Sequence, residues 1–202
     1  MLRPVCRWRR GRLLLAYSKK KQLRSCICQK KAVNLQRKLR SMINEEEIER
    51  RAQRAQELFK QGFNCSQSVF AACADLYGIH DESLALRLSA SFGGGTGRMR
   101  MTCGAANGMF LLTGLHNGSA TPHDNEGKMA NYAFVQHLAG DFKAKYGSLI
   151  CAELLGLAPK GQCPTQLDLD PRPADRTPEY YEKRPCGEMI GEAVRIYLRS
   201  IA

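Results

Sequence analysis

Nine cysteines stand in the 202-residue chain, and they are its best-equipped side chains for chemistry. Three lie near the start (Cys6, Cys26, Cys28) and six further on (Cys65, Cys73, Cys103, Cys151, Cys163, Cys186). The later six include no C-x-x-C pair, which argues against a zinc ribbon or a thioredoxin-type motif. No C-x-x-C-H run is present, so covalent c-type haem is not expected. Four of the six share a local setting. Cys65 follows Asn64, Cys103 follows Thr102, Cys151 falls in the first turn after Ser148, and Cys186 stands at the start of the last helix pattern. A helix N-terminus offers unpaired N–H groups and the positive end of the dipole, which lowers a thiol pKa. On that ground Cys103 is a candidate nucleophile, with another cysteine to resolve the mixed disulfide. The same N–H groups can hydrogen-bond thiolates around a metal. Four cysteines so held and gathered by folding make a four-thiolate site for iron–sulfur or zinc. The competing expectation for any one of them is plain core packing, since cysteine is among the most buried residue types. Packing is the expectation for Cys73, eight positions after Cys65 on the same helical face. Cys163 is expected to be a spare thiol able to resolve.

A glycine-rich segment, Gly93-Gly94-Gly95-Thr96-Gly97-Arg98, runs toward Cys103. It matches neither G-x-G-x-x-G after a strand nor the P-loop pattern, so it gives no firm nucleotide signal. A tight backbone path past the site is the expected role, with Gly93, Gly94 and Gly95 beside whatever cofactor is held. Gly104, Ala105 and Gly108 leave a bare stripe on the next helix. That stripe permits close helix–helix approach or lets a cofactor lie against backbone. Arg98 and Arg100 can balance an anionic cluster. His80, His116, His123 and His137 are not grouped with the cysteines, and packing or solvent exposure is expected for them.

The elements that must position these residues read as helices. Asn44 with Glu47 forms a capping pattern, followed by Ile48, Ala52, Ala55, Leu58 and Phe59 at helical spacing and Gly62 as a stop. Asn64 and Gln67 repeat the cap and open a helix running to Gly78. Asp81 caps a third, Thr102 precedes an apolar fourth, and residues 124–146 read as a long amphipathic helix with Met129, Tyr132, Ala133, Val135, Gln136 and Leu138 in its middle. Ser148 caps a short helix. Residues 157–185 hold six of the eight prolines and read as a long loop before the last helix. No stretch alternates with the period of a strand. The expected architecture is a single all-α domain over residues 42–202.

The formal charge of +12 comes from 31 Lys and Arg against 19 Asp and Glu. Residues 1–41 carry 14 of the cations and no acid, so the remaining 161 residues are slightly acidic. A uniformly basic nucleic-acid domain is thereby excluded, and no nucleic-acid partner is expected. The first segment has no apolar run long enough for a secretory signal, and no stretch approaches a membrane span. A cytoplasmic location is expected. Met42 opens a sequence with the character of a protein start, so residues 1–41 are expected to be no part of the native product, a disordered basic extension, or a targeting or binding arm.

Taken together, the stretches around Asn64-Cys65-Ser66-Gln67, Phe92-Gly93-Gly94-Gly95-Thr96-Gly97-Arg98, Cys103-Gly104-Ala105-Ala106-Asn107-Gly108, Cys151-Ala152-Glu153-Leu154-Leu155-Gly156 and Cys186 resemble the C_GCAxxG_C_C family of redox proteins. The resemblance covers nearly all of residues 45–200. It maps the family's four hallmark cysteines onto Cys65, Cys103, Cys151 and Cys186. The family is similar to the iron–sulfur part of split-Soret cytochromes, which implies a four-cysteine [2Fe–2S] site without the haem half. The expected function is electron transfer or redox sensing through that cluster, with an unidentified redox partner. A thiol–disulfide protein using Cys103 and a structural zinc domain are the alternatives. A homodimer is compatible with the apolar stripes.

Overall fold

A computed structural model of the chain describes residues 39, 41–159, 161, 171–182 and 184–202. The expectations for the basic extension, for Cys163 and for the middle of the proline-rich loop lie outside the described residues. The chain divides into two units, Met1–Ser41 and Met42–Ala202, and the helices named below lie in the second.

Among the described residues there are eight α-helices and no strand. Helix α1 (Glu45–Lys60) starts where the Asn44 side chain accepts from Glu47 N–H at 2.8 Å, and three glutamates fill its first turn against the dipole. Its buried face is Ile48, Ala52, Ala55, Leu58 and Phe59. Helix α8 (Cys186–Ile201) closes the fold with the same logic, burying Met189, Ile190, Ala193, Val194, Tyr197, Leu198 and Ile201 at three- and four-residue steps. The two helices pack antiparallel. Arg199 meets Glu45 at 2.9 Å, Arg195 meets Glu49 at 2.6 Å, and Gln56 donates to the Gly187 carbonyl at 3.1 Å.

Helix α2 (Cys65–Ala71) carries a full capping box from Asn64 and Gln67. The single helix expected from Cys65 to Gly78 is broken. A 3-10 turn (Ala74–Tyr77) follows the break, because buried Arg51 takes the Ala72 carbonyl at 2.8 Å and pairs with Asp75 at 2.6 Å. Helix α3 (Glu82–Ser89) is capped by Asp81 and tightens into a 3-10 turn (Ala90–Phe92) that feeds the glycine segment. Helix α4 (Gly104–Asn117) approaches α2 so closely that a Cβ on Gly108 would lie 2.6 Å from the Val69 Cβ. Val69 therefore fills the space that the bare stripe offers at Gly108.

Helix α5 (Asn125–Tyr146) begins at Asp124 as expected, but its amphipathic middle does not materialise. Only Leu138 and Phe142 are buried, while Met129 and Tyr132 stand 68% and 61% exposed; the first half of the helix meets α4 through Asn131, which donates to Asn117 Oδ1 at 2.7 Å, and not through an apolar stripe. The short α6 (Cys151–Leu154) is preceded by Ile150 rather than capped directly by Ser148; the Ser148 hydroxyl accepts from Ile150 N–H at 2.9 Å. Within the proline-rich loop a one-turn helix, α7 (Pro178–Glu182), was not expected. No helix among the described residues is long and apolar enough to cross a membrane.

Candidate redox site

Cys65 is the first residue of α2. Its cap, Asn64, accepts from Ser66 and Gln67 N–H at 3.1 Å each and donates to the Ala90 carbonyl at 2.8 Å, which ties the start of α2 to the glycine segment. Cys103 and Cys151 are set side by side by backbone alone. An antiparallel bridge joins Thr102 and Ile150, with Cys103 N–H donating to Leu149 O and Cys151 N–H to Met101 O, both at 2.7 Å. Each chain then turns directly into a helix, α4 or α6. Cys186 opens α8 behind Pro185.

The glycine segment winds left-handed between these starts. Gly94, Gly95, Thr96, Gly97, Arg98 and Arg100 all have φ between 56° and 77°. Bonds such as Gly97 N–H to Ser91 O (2.7 Å) and Met101 N–H to Gly95 O (3.0 Å) close the coil. Two positions explain the glycines. A Cβ on Gly93 would lie 2.2 Å from the Asn64 Cγ, and one on Gly95 would lie 2.6 Å from the Cys151 Cβ. Thr96, Arg98 and Arg100 adopt a left-handed backbone at a cost of about 1–2 kcal/mol each. Asn107 helps to hold the coil: its amide donates to Thr96 Oγ1 at 3.0 Å and to Thr102 O at 3.2 Å. Gly104 faces Cys65, with 3.0 Å between its would-be Cβ and the Cys65 Cβ. Protein thus presses against Gly93, Gly95, Gly104 and Gly108, and the contact at Gly94 is the looser Arg98 backbone at 3.1 Å.

Cys65, Cys151 and Cys186 line one cavity of about 320 Å³. Cys103 is buried behind it, near enough for its charge to act on Cys65 and for those of Cys151 and Cys186 to act on it. A model of the family described as "Putative redox-active protein (C_GCAxxG_C_C)" matches residues 63–199, from just before the first of these cysteines to beyond the last. The chain belongs to the C_GCAxxG_C_C family. Neither curated proteins nor solved structures yield a match.

The C_GCAxxG_C_C cysteines differ sharply in their electrostatics. Cys65 and Cys186 are hydrogen-bonded to each other. That bond, then the guanidinium charges of Arg184, Arg176 and Arg100, hold Cys186 below the ordinary thiol value despite its burial. The same bond and its own burial push Cys65 up. Burial pushes Cys103 up to about 12, the charge of Cys151 adds to this, and the N–H groups of Ala105 and Ala106 pull it only partly back. The expectation that a helix start activates Cys103 has the right sign but loses to desolvation. Cys151 is also raised by burial, against the charge and hydrogen bond of Arg100. Cys73 is fully buried and raised to about 12, again chiefly by burial.

All five described cysteines are thiols. Among the described residues no three His, Cys, Asp or Glu stand at metal-holding spacing. No histidine lines the cavity; His116 bonds Tyr77 at 3.1 Å and His137 faces Asp141 at 3.6 Å. The sequence reading missed Asn107, Arg176, Tyr180 and Arg184. Asn107 stood inside the stretch that opens at Cys103 and Arg184 two residues before Cys186, while Arg176 and Tyr180 left no signal.

Proposed function

We propose that this redox protein holds a [2Fe–2S] cluster on Cys65, Cys103, Cys151 and Cys186, for electron transfer or redox sensing. The observation that supports the reading is three thiols lining one cavity, Cys65, Cys151 and Cys186, each at a helix start, with Cys103 buried close enough to act on them electrostatically. The donor set suits the group in kind. Thiols are the natural ligands of such clusters, and no carboxylate or imidazole among the described residues competes for the cavity. A thiolate-ligated cluster is an anion, and Arg98, Arg100, Arg176 and Arg184 line the same space. The bound group supplies one-electron chemistry. The chain supplies the ligands, the N–H groups at the start of α4, and a cationic wall. Ligation requires the sulfurs to draw closer than they stand in the structure.

A second reading rests on a specific contact, the bond between Cys65 and Cys186. It makes them a dithiol in which Cys186 is more acidic than Cys65, and so Cys186 takes the attacking role that the sequence suggested for Cys103. Anaerobic purification with iron, acid-labile sulfide and zinc analysis separates the readings. Stoichiometric iron and sulfide, with a visible spectrum lost in the Cys186→Ser variant, supports the cluster. A colourless protein that takes up no cluster on reconstitution rejects it. A reversible Cys65–Cys186 disulfide in that colourless protein supports the dithiol, and stoichiometric zinc supports a zinc site instead.

A further inference from the structure

Beside the thiols, the cavity wall carries a cationic arrangement that does more than lower Cys186. The guanidinium of Arg176 sits 4.7 Å from the Tyr180 ring centre and that of Arg184 sits 4.6 Å from the same ring. Two like charges are thus held over one ring. Neither forms an ion pair with a described residue, and no described carboxylate lines the cavity. Arg176 spends Nη2 on the Phe63 carbonyl at 3.3 Å, while its Nη1 is buried with no hydrogen-bond partner. A buried donor left unmade is costly, and two unneutralised guanidiniums at one ring add repulsion. An arginine fork is shaped to receive a planar or tetrahedral oxyanion through paired N–H bonds.

We infer that the cavity binds a small oxyanion ligand, a carboxylate or phosphate compound, between Arg176 and Arg184. Its volume of about 320 Å³ lies at the lower end of the range for small-molecule sites and leaves no room for a folded partner. Tyr180 offers the ligand a flat apolar wall, and the prolines at 171 and 173 line the same space. Neither arginine is assigned as a ligand to the redox group, and the inference touches that reading only in sharing its cavity wall.

The test uses the full chain, purified under reducing conditions and titrated by calorimetry with inorganic phosphate, with citrate and with uncharged glycerol. The expected result is saturable one-to-one binding of phosphate or citrate and none of glycerol. Affinity falls about tenfold or more in Arg184→Gln, which removes one charged partner. It is unchanged in Arg54→Gln, an exposed cation paired with Glu82 away from the cavity. Arg176→Lys keeps the charge and loses the fork, so it weakens binding too. If that variant unfolds, Arg184→Gln still decides. Phosphate without citrate marks a phosphate ligand, and the reverse a carboxylate. No saturation with either oxyanion, or an equal loss in Arg54→Gln and Arg184→Gln, overturns the inference. Iron and sulfide measured on the same samples keep its failure distinct from failure of the cluster reading.

Discussion

Cys186 and Cys103 both begin helices, yet their environments push their thiols in opposite directions. Position in sequence reveals the helix start; it does not reveal what covers the sulfur. Cys103 is 6% exposed, and desolvation outweighs two backbone N–H groups. Cys186 gains a hydrogen bond and three nearby guanidiniums. In the metal-free reduced protein, alkylation by a small reagent should therefore titrate below the ordinary thiol value at Cys186 and above it at Cys103. Mass-spectrometric rates against pH check the order, and equal midpoints would contradict the account. Glycines obey the same lesson about surroundings. Gly95→Ala combines a left-handed φ with a Cβ 2.6 Å from Cys151, and is expected to cost about 2 kcal/mol or more in thermal or denaturant unfolding. Gly114→Ala, with nothing within 4 Å in the last turn of α4, should gain about 0.5 kcal/mol.

Helix caps were the most legible feature of the chain, because their signal is local. Asn44, Asn64, Asp81 and Asp124 each accept a backbone N–H where the sequence placed a start. What failed was decided from outside the element. The break after Ala71 needs Arg51, twenty-one residues before the carbonyl that it takes. The exposed half of α5 has helical spacing, but it meets α4 through Asn131 and leaves Met129 and Tyr132 in solvent. The α7 turn did leave a local trace: Thr177 before Pro178 puts a cap and a first-position proline in sequence, and the Thr177 hydroxyl accepts from Tyr180 N–H at 3.3 Å. It was hidden by the surrounding prolines. Asn64 tests the link from cap to site. Asn64→Ala removes the capping box and the tie to Ala90, so it should cost about 1–2 kcal/mol and speed alkylation of Cys65. A lower melting temperature with an unchanged Cys65 rate would break that link.

Across the whole molecule, the cations without acids lie in residues 1–41, and the remainder is slightly acidic. Inside the domain, charge ties distant parts of the chain. Hydrogen bonds from Arg50 and Arg51 hold Glu47 below its ordinary value, and that from Arg195 holds Glu49 there. Burial pushes Asp75 up, but Arg51 outweighs it and leaves Asp75 lowered. Each carboxylate is more acidic folded than unfolded. Its contribution is therefore present above the unfolded value of about 4 and is lost as pH falls through the folded value. The melting temperature should drop as pH is taken below about 4, and Arg195→Gln should flatten part of that drop.

The order of the four cysteines along the chain carries a further consequence. Three precede the proline-rich loop, and the fourth opens the helix that pairs with α1. The two ends of the domain must meet before the last thiol reaches the others. Any property that needs all four sulfurs is then a report on closure of the whole fold. A variant that frays α8 from α1 should lose that property in proportion to the fraction of open molecules, with every cysteine still present.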